Sequence, residues 1–392
     1  MVRCDALIVG GGPAGSTCAR VLRQAGWHVI VMDRARFPRD KVCAGWVTPG
    51  VFRLLDLDPA DYRATGLTLQ EISGFRTSVM GDPSIETRYA RVISYAIRRC
   101  EFDDFLLKRS GAEVLHGRPL TSLDRRGDAW VANGNISARV VVGAGGHFCP
   151  VARQLRSGGS TQQDPPYVRS GGSGEYSRPD SPYARDVDPD VRPVVAKEAE
   201  FRLEAGGSDV AGETPELFFC RDLEGYGWCV RKGDYLNIGL GRRDQGDLNL
   251  HMKDFVAFLE RHVLARRASQ VRWCGHAYLA SGTGPRPLIG GHVLVVGDAA
   301  GLAYPESGEG IKPAVESGRL AAETLIAARG RAGLDDLKPY EAELRRRYPA
   351  ARRTPHALEG VVKALGRGLM RSPLFARRVL IDRWFLRDAS GP

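Results

Sequence analysis

The sequence has no Cys-x-x-Cys pair. Its eight cysteines, Cys4, Cys18, Cys43, Cys100, Cys149, Cys220, Cys229 and Cys274, stand far apart. That spacing excludes zinc ribbons and thioredoxin-like redox motifs, and it predicts reduced, mostly buried thiols. No apolar run approaches the ~18 residues that span a bilayer. The opening MVRCDALIVGGG is a short apolar run that passes straight into a glycine turn. It predicts a first core strand, not a signal peptide, and a cytoplasmic protein. His276 and His292 lack metal-ligand spacing, so no metal is expected. There is no internal repeat, and a Gly-x-Gly-x-x-Gly turn followed by helix, strand and acid occurs once only. Acid is scarce at the C-terminal end: residues 345–392 hold twelve Lys/Arg against three Asp/Glu, in a chain whose net charge is +10. The rest is therefore nearly neutral. A basic tail suits a peripheral contact with anionic lipid or an acidic protein. Nucleic acid is not expected, because no reading motif accompanies the charge.

What is present fits two domains, since 392 residues exceed one ordinary core. Asp5–Gly10 reads as a buried strand, Pro13–Ala25 as a helix ended by Gly26, and Val29–Asp33 as a second strand. From Leu67 to Ile97 the pattern alternates with period two, predicting paired strands that leave the first domain. A helix is predicted over Phe102–Ser110, a hairpin at Trp130–Ala132 and Ser137–Val142, and antiparallel strands over 194–280. Residues 157–193 are rich in Gly, Ser, Pro and Asp and predict a connector or a lid. Asp254–Arg266 predicts an amphipathic helix, His292–Gly297 a buried strand, and Gly310–Ala328 a long helix. The chain from Asp335 onward predicts basic helices. Within them, apolar residues alternate with Arg and Lys up to Trp384 and Phe385, which suits either an interfacial helix or one packed on the protein.

The strongest chemical signal is Gly10-Gly-Gly12-Pro-Ala14-Gly15 between a strand and a helix. Gly10 permits the tight turn, Gly12 lets the backbone approach a pyrophosphate, and Gly15 allows close packing of helix on strand. The helix N-terminus then offers free N–H groups and the positive end of its dipole. Asp33, with Arg34 behind it, ends the second strand, where a carboxylate can accept ribose hydroxyls. FAD and NAD remain alternatives on this motif alone. Further on, Gly297-Asp298-Ala-Ala-Gly301 follows a buried strand, and Gly308-Glu-Gly310-Ile311 opens a helix.

With these two stretches the chain resembles the flavin-dependent geranylgeranyl reductase family, within the p-hydroxybenzoate hydroxylase-like FAD-dependent oxidoreductases. The resemblance implies FAD, with Asp298 on the ribityl chain and the helix start at Gly310 and Ile311 aimed at the flavin pyrimidine ring. Four more stretches extend it. Lys41-Val-Cys43-Ala44-Gly45 is similar to a KxCGG motif, with Ala44 replacing a glycine. Arg99-Cys-Glu-Phe102-Asp103 is similar to an RxxFD segment whose arginine touches FAD. Val142 to Arg153 is similar to GADGxxSxVR of the hydroxylases, but Gly145 stands where that motif has Asp. Gly225-Tyr226-Gly227-Trp228-Cys-Val-Arg-Lys is similar to YxWxFP, with Val230 and Arg231 in place of Phe-Pro.

The resemblance implies an α/β fold: a Rossmann-type, glutathione-reductase-like FAD-binding domain interrupted by an antiparallel β-sheet substrate domain, with C-terminal helices. The expected boundaries are 1–66, 98–156 and 281–330 for FAD, 67–97 and 157–280 for substrate, and 331–392 for the basic helical region. Lys41, Cys43, Ala44 and Arg99 join the expected cofactor contacts. Cys43, placed by the resemblance beside the flavin, is a candidate proton donor, a redox thiol, or a packing residue. Tyr226 and Trp228 sit two apart, so on a strand they share a face, either as a flat wall for an apolar substrate or as core aromatics. Glu198 and Glu200 also share a face, but nothing else suggests a hydrolase. The expected reaction is hydride transfer from reduced flavin to a C=C bond of a small hydrophobic, isoprenoid-like substrate. The alternatives are an oxygen-using monooxygenase or halogenase, and a membrane-associated flavin-binding protein without turnover. With no second dinucleotide motif, electrons are expected from transient NAD(P)H or a protein donor.

Overall fold

The computed structural model describes residues 1–157, 193–204, 208–243, 248–262, 264–265, 268–281, 286–349 and 366–387. The predicted connector over 157–193 therefore lies almost entirely outside the described residues. In chain order the strands are β1 (Val2–Val9), β2 (Val29–Asp33), β3 (Trp46–Val47), β4 (Leu69–Ile72), β5 (Gly74–Val79), β6 (Ile85–Arg88), β7 (Ser94–Ile97), β8 (Glu113–His116), β9 (Leu123–Arg126), β10 (Ala129–Ala132), β11 (Ile136–Gly143), β12 (Val194–Arg202), β13 (Glu216–Phe219), β14 (Gly225–Lys232), β15 (Tyr235–Arg242), β16 (Cys274–Tyr278), β17 (Ile289–Gly290) and β18 (Val293–Val295). The helices are α1 (Pro13–Gln24), α2 (Pro49–Leu54), α3 (Pro59–Ala64), α4 (Arg99–Arg109), α5 (Pro150–Arg156), α6 (Leu248–Arg261), α7 (Ile311–Ala327) and α8 (Leu334–Arg347). A turn of helix, Pro373–Phe375, runs into a π-helix, Ala376–Leu386.

Among the described residues the strands form three sheets. The first runs β17-β18-β11-β1-β2-β8, parallel from β18 to β8, with β9 and β10 folded antiparallel onto the start of β11. Ala6 to Val9 and Val29 to Met32 are buried, as continuous apolar runs must be when helices cover a parallel sheet. The second sheet, β16-β12-β15-β14-β13-β5-β6, is antiparallel except where β13 meets β5. The third is the small antiparallel set β3-β7-β4. This is the expected α/β architecture, with C-terminal helices.

Some elements differ from the sequence pattern. Residues 67–97 divide between two sheets: β5 and β6 join the large antiparallel sheet, whereas β4 and β7 pair with each other and with β3. The two-residue β3 is too short to carry a period. Helix α4 starts at Arg99, three residues before its apolar pattern does, because Arg99 turns inward onto Asp103. Helix α6 covers Leu248–Arg261, earlier than the charge pattern implied. The strand before Asp298 stops at Val295, and Gly297–Ala299 forms a turn of 3-10 helix. In the π-helix, Ala376, Leu380, Ile381, Phe385 and Leu386 are buried against the antiparallel sheet. Phe385 lies flat on Trp46, with ring centroids 5.0 Å apart at 13°. The apolar side of 376–386 therefore covers the protein itself, and the interfacial-helix alternative does not apply to that stretch. Residues 350–365 lie outside the described part.

Candidate active site

The glycine turn joins β1 to α1. Gly10 has φ +115°, and a Cβ there would fall 2.3 Å from the Ala144 carbonyl oxygen, so only glycine fits. Helix α1 packs on α7 through small residues: a Cβ on Gly318 would lie 2.2 Å from the Ala14 carbonyl oxygen. Ala14 is buried in this contact. Gly12 differs. It is the N-cap of α1 with no capping side chain, no acid in the first turn and Pro13 following, and a Cβ there would meet only Arg39 Nη2, at 3.5 Å. The N-terminal amides of α1 thus face open space beside a guanidinium, the arrangement that binds phosphate.

Asp33 holds this loop in shape. Its Oδ2 accepts from Gly11 N–H at 2.7 Å and its Oδ1 from Ala35 N–H at 2.8 Å. Arg34, its neighbour, is exposed. Below the loop, the fully buried Asp103 takes both Nε and Nη2 of Arg99 at 2.7 Å and Nη2 of Arg39 at 3.2 Å. Burial works against the Arg99 charge, but Asp103 outweighs it and holds the guanidinium firmly protonated. Arg39 Nη1 is buried with no partner, a donor that a phosphate oxygen would satisfy.

The second part of the site is the turn after β18. A Cβ on Gly310 would lie 2.9 Å from Asp298 Oδ1, so the glycine that caps α7 leaves room for that carboxylate. The side chain of Ile311 packs into a core with Val47, Phe102 and Val315. Any contact Ile311 makes with a cofactor is therefore through its backbone. Lys41 reaches across from the loop after β2: its Nζ is 2.6 Å from His276 Nε2, and that same nitrogen is 4.0 Å from Asp298 Oδ2. Two cations cannot share that distance. Burial, reinforced by Lys41, keeps His276 well below the usual imidazole range, so neutral His276 accepts from the Lys41 ammonium. Burial also draws Lys41 down, to about 8, with Asp298 opposing. Nearby, burial pulls His147 down to about 4, and its Nδ1 is buried without a partner.

The third part is the face of the antiparallel sheet turned toward residues 41–46. Tyr226 and Trp228 share it, ring centroids 6.1 Å apart. Trp228 lies over Gly239, where a Cβ would fall 2.1 Å from the indole. Its Nε1 donates to Asn237 Oδ1 at 2.7 Å. Tyr226 Oη donates to the Ser307 carbonyl, its ring meets Phe385 edge-on, and burial raises its hydroxyl well above the ordinary value. Ala44 and Trp46 pack against the same cluster. Cys43 is half-buried, and its Sγ accepts from Gly45 N–H at 3.4 Å.

Several residues at this site carry no local sequence signal. Asp103 appears only as the end of a motif, and His276 only as a histidine without metal spacing. Asn237 alone left a trace, a polar residue inside the apolar strand YLNIGLG. Their roles come from long-range packing, as between Lys41 and His276, which lie 235 residues apart in the chain.

Residues 3–164 match the family model described as an FAD binding domain. The chain is 30% identical over 344 residues to menaquinone reductase of Mycobacterium tuberculosis, covering 82% of this chain and 76% of the relative. It belongs to the flavin-dependent geranylgeranyl reductase family, within the p-hydroxybenzoate hydroxylase-like flavoproteins. Geranylgeranyl diphosphate reductase of Rhodobacter capsulatus is 28% identical over 342 residues, 83% of this chain and 76% of the relative. Among solved structures, a geranylgeranyl bacteriochlorophyll reductase-like protein of Thermoplasma acidophilum superimposes with TM-score 0.68 at 18% identity, over 94% of this chain and 88% of that one. Flavin-dependent brominase and monooxygenase structures share the fold as well.

As a member of this reductase family the protein is an FAD-dependent oxidoreductase. The residues present fit that cofactor. The uncapped start of α1, the open side of Gly12 and the orphan Nη1 of Arg39 suit a pyrophosphate. Asp33 at the end of β2 suits a ribose, and Asp298 beside Gly310 suits the ribityl hydroxyls.

Proposed function

We propose that the enzyme reduces a C=C bond of a hydrophobic, isoprenoid-like substrate. The observation that carries this reading is the aromatic cluster of Tyr226, Trp228, Trp46 and Phe385, packed together as an apolar lining on the sheet face turned toward Cys43. An apolar chain bound against this lining sheds water and is held in one orientation. Bound FAD, once reduced, supplies the hydride. The chain's own residues do the rest. Asp103 fixes Arg99 and Arg39, Lys41 bridges toward Asp298, and the lining excludes solvent. The second hydrogen must come as a proton from a nearby acid. Tyr226 is poorly suited, because its proton rests on the Ser307 carbonyl and burial opposes its ionisation. Cys43 is the better candidate. Electrons come from transient NAD(P)H or a protein donor, and the basic residues of 345–392 favour a peripheral contact with an anionic membrane, where such substrates reside.

The test is product analysis. The holoprotein is supplied with a chemical reductant and geranylgeranyl diphosphate, or a quinone with a polyprenyl tail, without oxygen. The expected product carries fewer double bonds. A product formed only with oxygen, hydroxylated or halogenated, overturns the reading.

A further inference from the structure

We propose that Glu198 is the proton-holding residue of this site, acting through Cys43 and not on the substrate itself. The inference rests on the reductase reading above and names the origin of the proton that reading requires.

Glu198 on β12, Gly239 on β15 and Trp228 on β14 are register partners in one row across the face turned toward Cys43. Glu200, Asn237 and Val230 form the next row. Both backbone groups of Cys43 are engaged by these rows. Asn237 Nδ2 donates to the Cys43 carbonyl at 3.4 Å, and the Cys43 N–H donates toward the Glu198 carboxyl. The sheet thereby positions the loop that presents the Cys43 thiol.

The charges near Glu198 are unequal. Glu200 takes Lys232 Nζ at 2.7 Å and Arg98 Nε at 3.0 Å, with Asn237 Nδ2 at 3.4 Å. Burial opposes its charge, but Lys232 outweighs burial and holds Glu200 ionised. Asp103 has Arg99 and Arg39. Glu198 is only 6% exposed, and its Oε2 is buried with no hydrogen-bond partner. A buried carboxylate with one oxygen unsatisfied is costly, whereas the protonated acid is tolerated. Burial raises Glu198 to about 7, with Lys232, the Cys43 N–H and a hydrogen bond from Asn237 opposing it and Glu200 adding to it. Two carboxyls two residues apart thus have separated roles, one a fixed charge and one an exchangeable acid.

The hydrogen count closes. Saturating a double bond consumes one hydride and one proton. The carbon that does not receive the hydride takes the proton of Cys43 Sγ. The thiolate left behind takes the proton of Glu198. The Glu198 carboxylate is then reprotonated from solvent.

The experiment has one arm without substrate and one with it. Infrared difference spectra of the yellow holoprotein between about pH 6 and about pH 8.5 bracket the ionisation of a raised carboxyl. A carboxylic-acid C=O band should disappear as pH rises in wild type and be missing in E198Q. A wild type without this band, or an E198Q variant that retains it, overturns the proposal. In turnover, E198Q should keep its flavin and its KM, lose about tenfold in kcat, and lose the decline in rate above neutral pH. An E198Q rate and pH profile equal to wild type overturn it too. Should E198Q not hold FAD, E198D keeps an acid in place and must still show the titrating band. If no polyprenyl substrate is reduced but the band behaves as expected, the fault lies with the substrate reading and not with Glu198.

Discussion

Trp228 and Asn237 are joined by a buried hydrogen bond, Nε1 to Oδ1 at 2.7 Å, and the same Asn237 side chain donates to the backbone carbonyl of Cys43. The aromatic cluster proposed to line the substrate site and the loop that carries the thiol are therefore one unit. Trp228→Ala removes the indole from this cluster and leaves Asn237 Oδ1 without its donor. The expected outcome is normal flavin content with turnover reduced by two orders of magnitude or more, of the size seen when a reacting group is misplaced. A colourless Trp228 variant would contradict this division of labour. Trp228→Phe keeps an aromatic face but loses the N–H and the second ring, and the unpaired Asn237 Oδ1 alone costs about 1–3 kcal/mol in stability, read as a lower urea midpoint.

The cofactor turns act separately from the aromatic cluster. Gly12→Val places methyl groups in the open space next to Arg39 Nη2, and Asp298→Ala removes the carboxylate beside Gly310. Both variants should fold and elute with little visible flavin absorbance, while their far-ultraviolet circular dichroism matches wild type. Retention of stoichiometric FAD by either one would contradict the assigned positions.

Asp103 pairs with two guanidiniums in a buried setting and offsets one of their two charges. Asp103→Ala would leave Arg99 buried without its bidentate partner. Breaking a buried pair in this way costs about 3–5 kcal/mol. The expected result is insoluble or strongly destabilised protein. Arg99→Met together with Asp103→Leu, which removes both charges, should be more stable than Asp103→Ala alone although it binds FAD poorly. Thermal denaturation of the set decides.

His147 gives a pH prediction whose sign is fixed. Burial lowers its pKa from 6.5 to about 4, so the folded protein prefers the neutral ring. The unfolded chain takes up a proton below pH 6.5 and the folded one does not until about 4. The contribution is therefore present above pH 6.5 and lost as pH falls through that window. His147→Gln should flatten the fall in urea midpoint between about pH 6.5 and 5, by on the order of 1 kcal/mol for a partly buried group. An unchanged slope would contradict it.

Much of this was legible in the chain. The helix read over Pro13–Ala25, observed at Pro13–Gln24, and the strand Val29–Asp33 followed from period and punctuation, because that βαβ unit is built from local signals. Tyr226 and Trp228 share a face as their two-residue spacing required. The rest depended on contacts between distant segments. Nothing near Lys41 announces His276, and nothing near Glu198 announces the Cys43 loop. The mixed periodicity of 67–97 could not say that two of its strands leave for another sheet. The tail shows the same limit: its apolar and basic alternation is compatible with lipid, yet Phe385 finds Trp46 instead.

The most direct test is a single turnover. The holoprotein is reduced stoichiometrically under argon, mixed with geranylgeranyl diphosphate or a polyprenyl quinol, and followed by flavin absorbance with the product identified by mass. The account predicts return of the oxidised spectrum with one double bond lost per flavin. A reduced spectrum that persists with every such substrate, and is discharged only by oxygen, would contradict it.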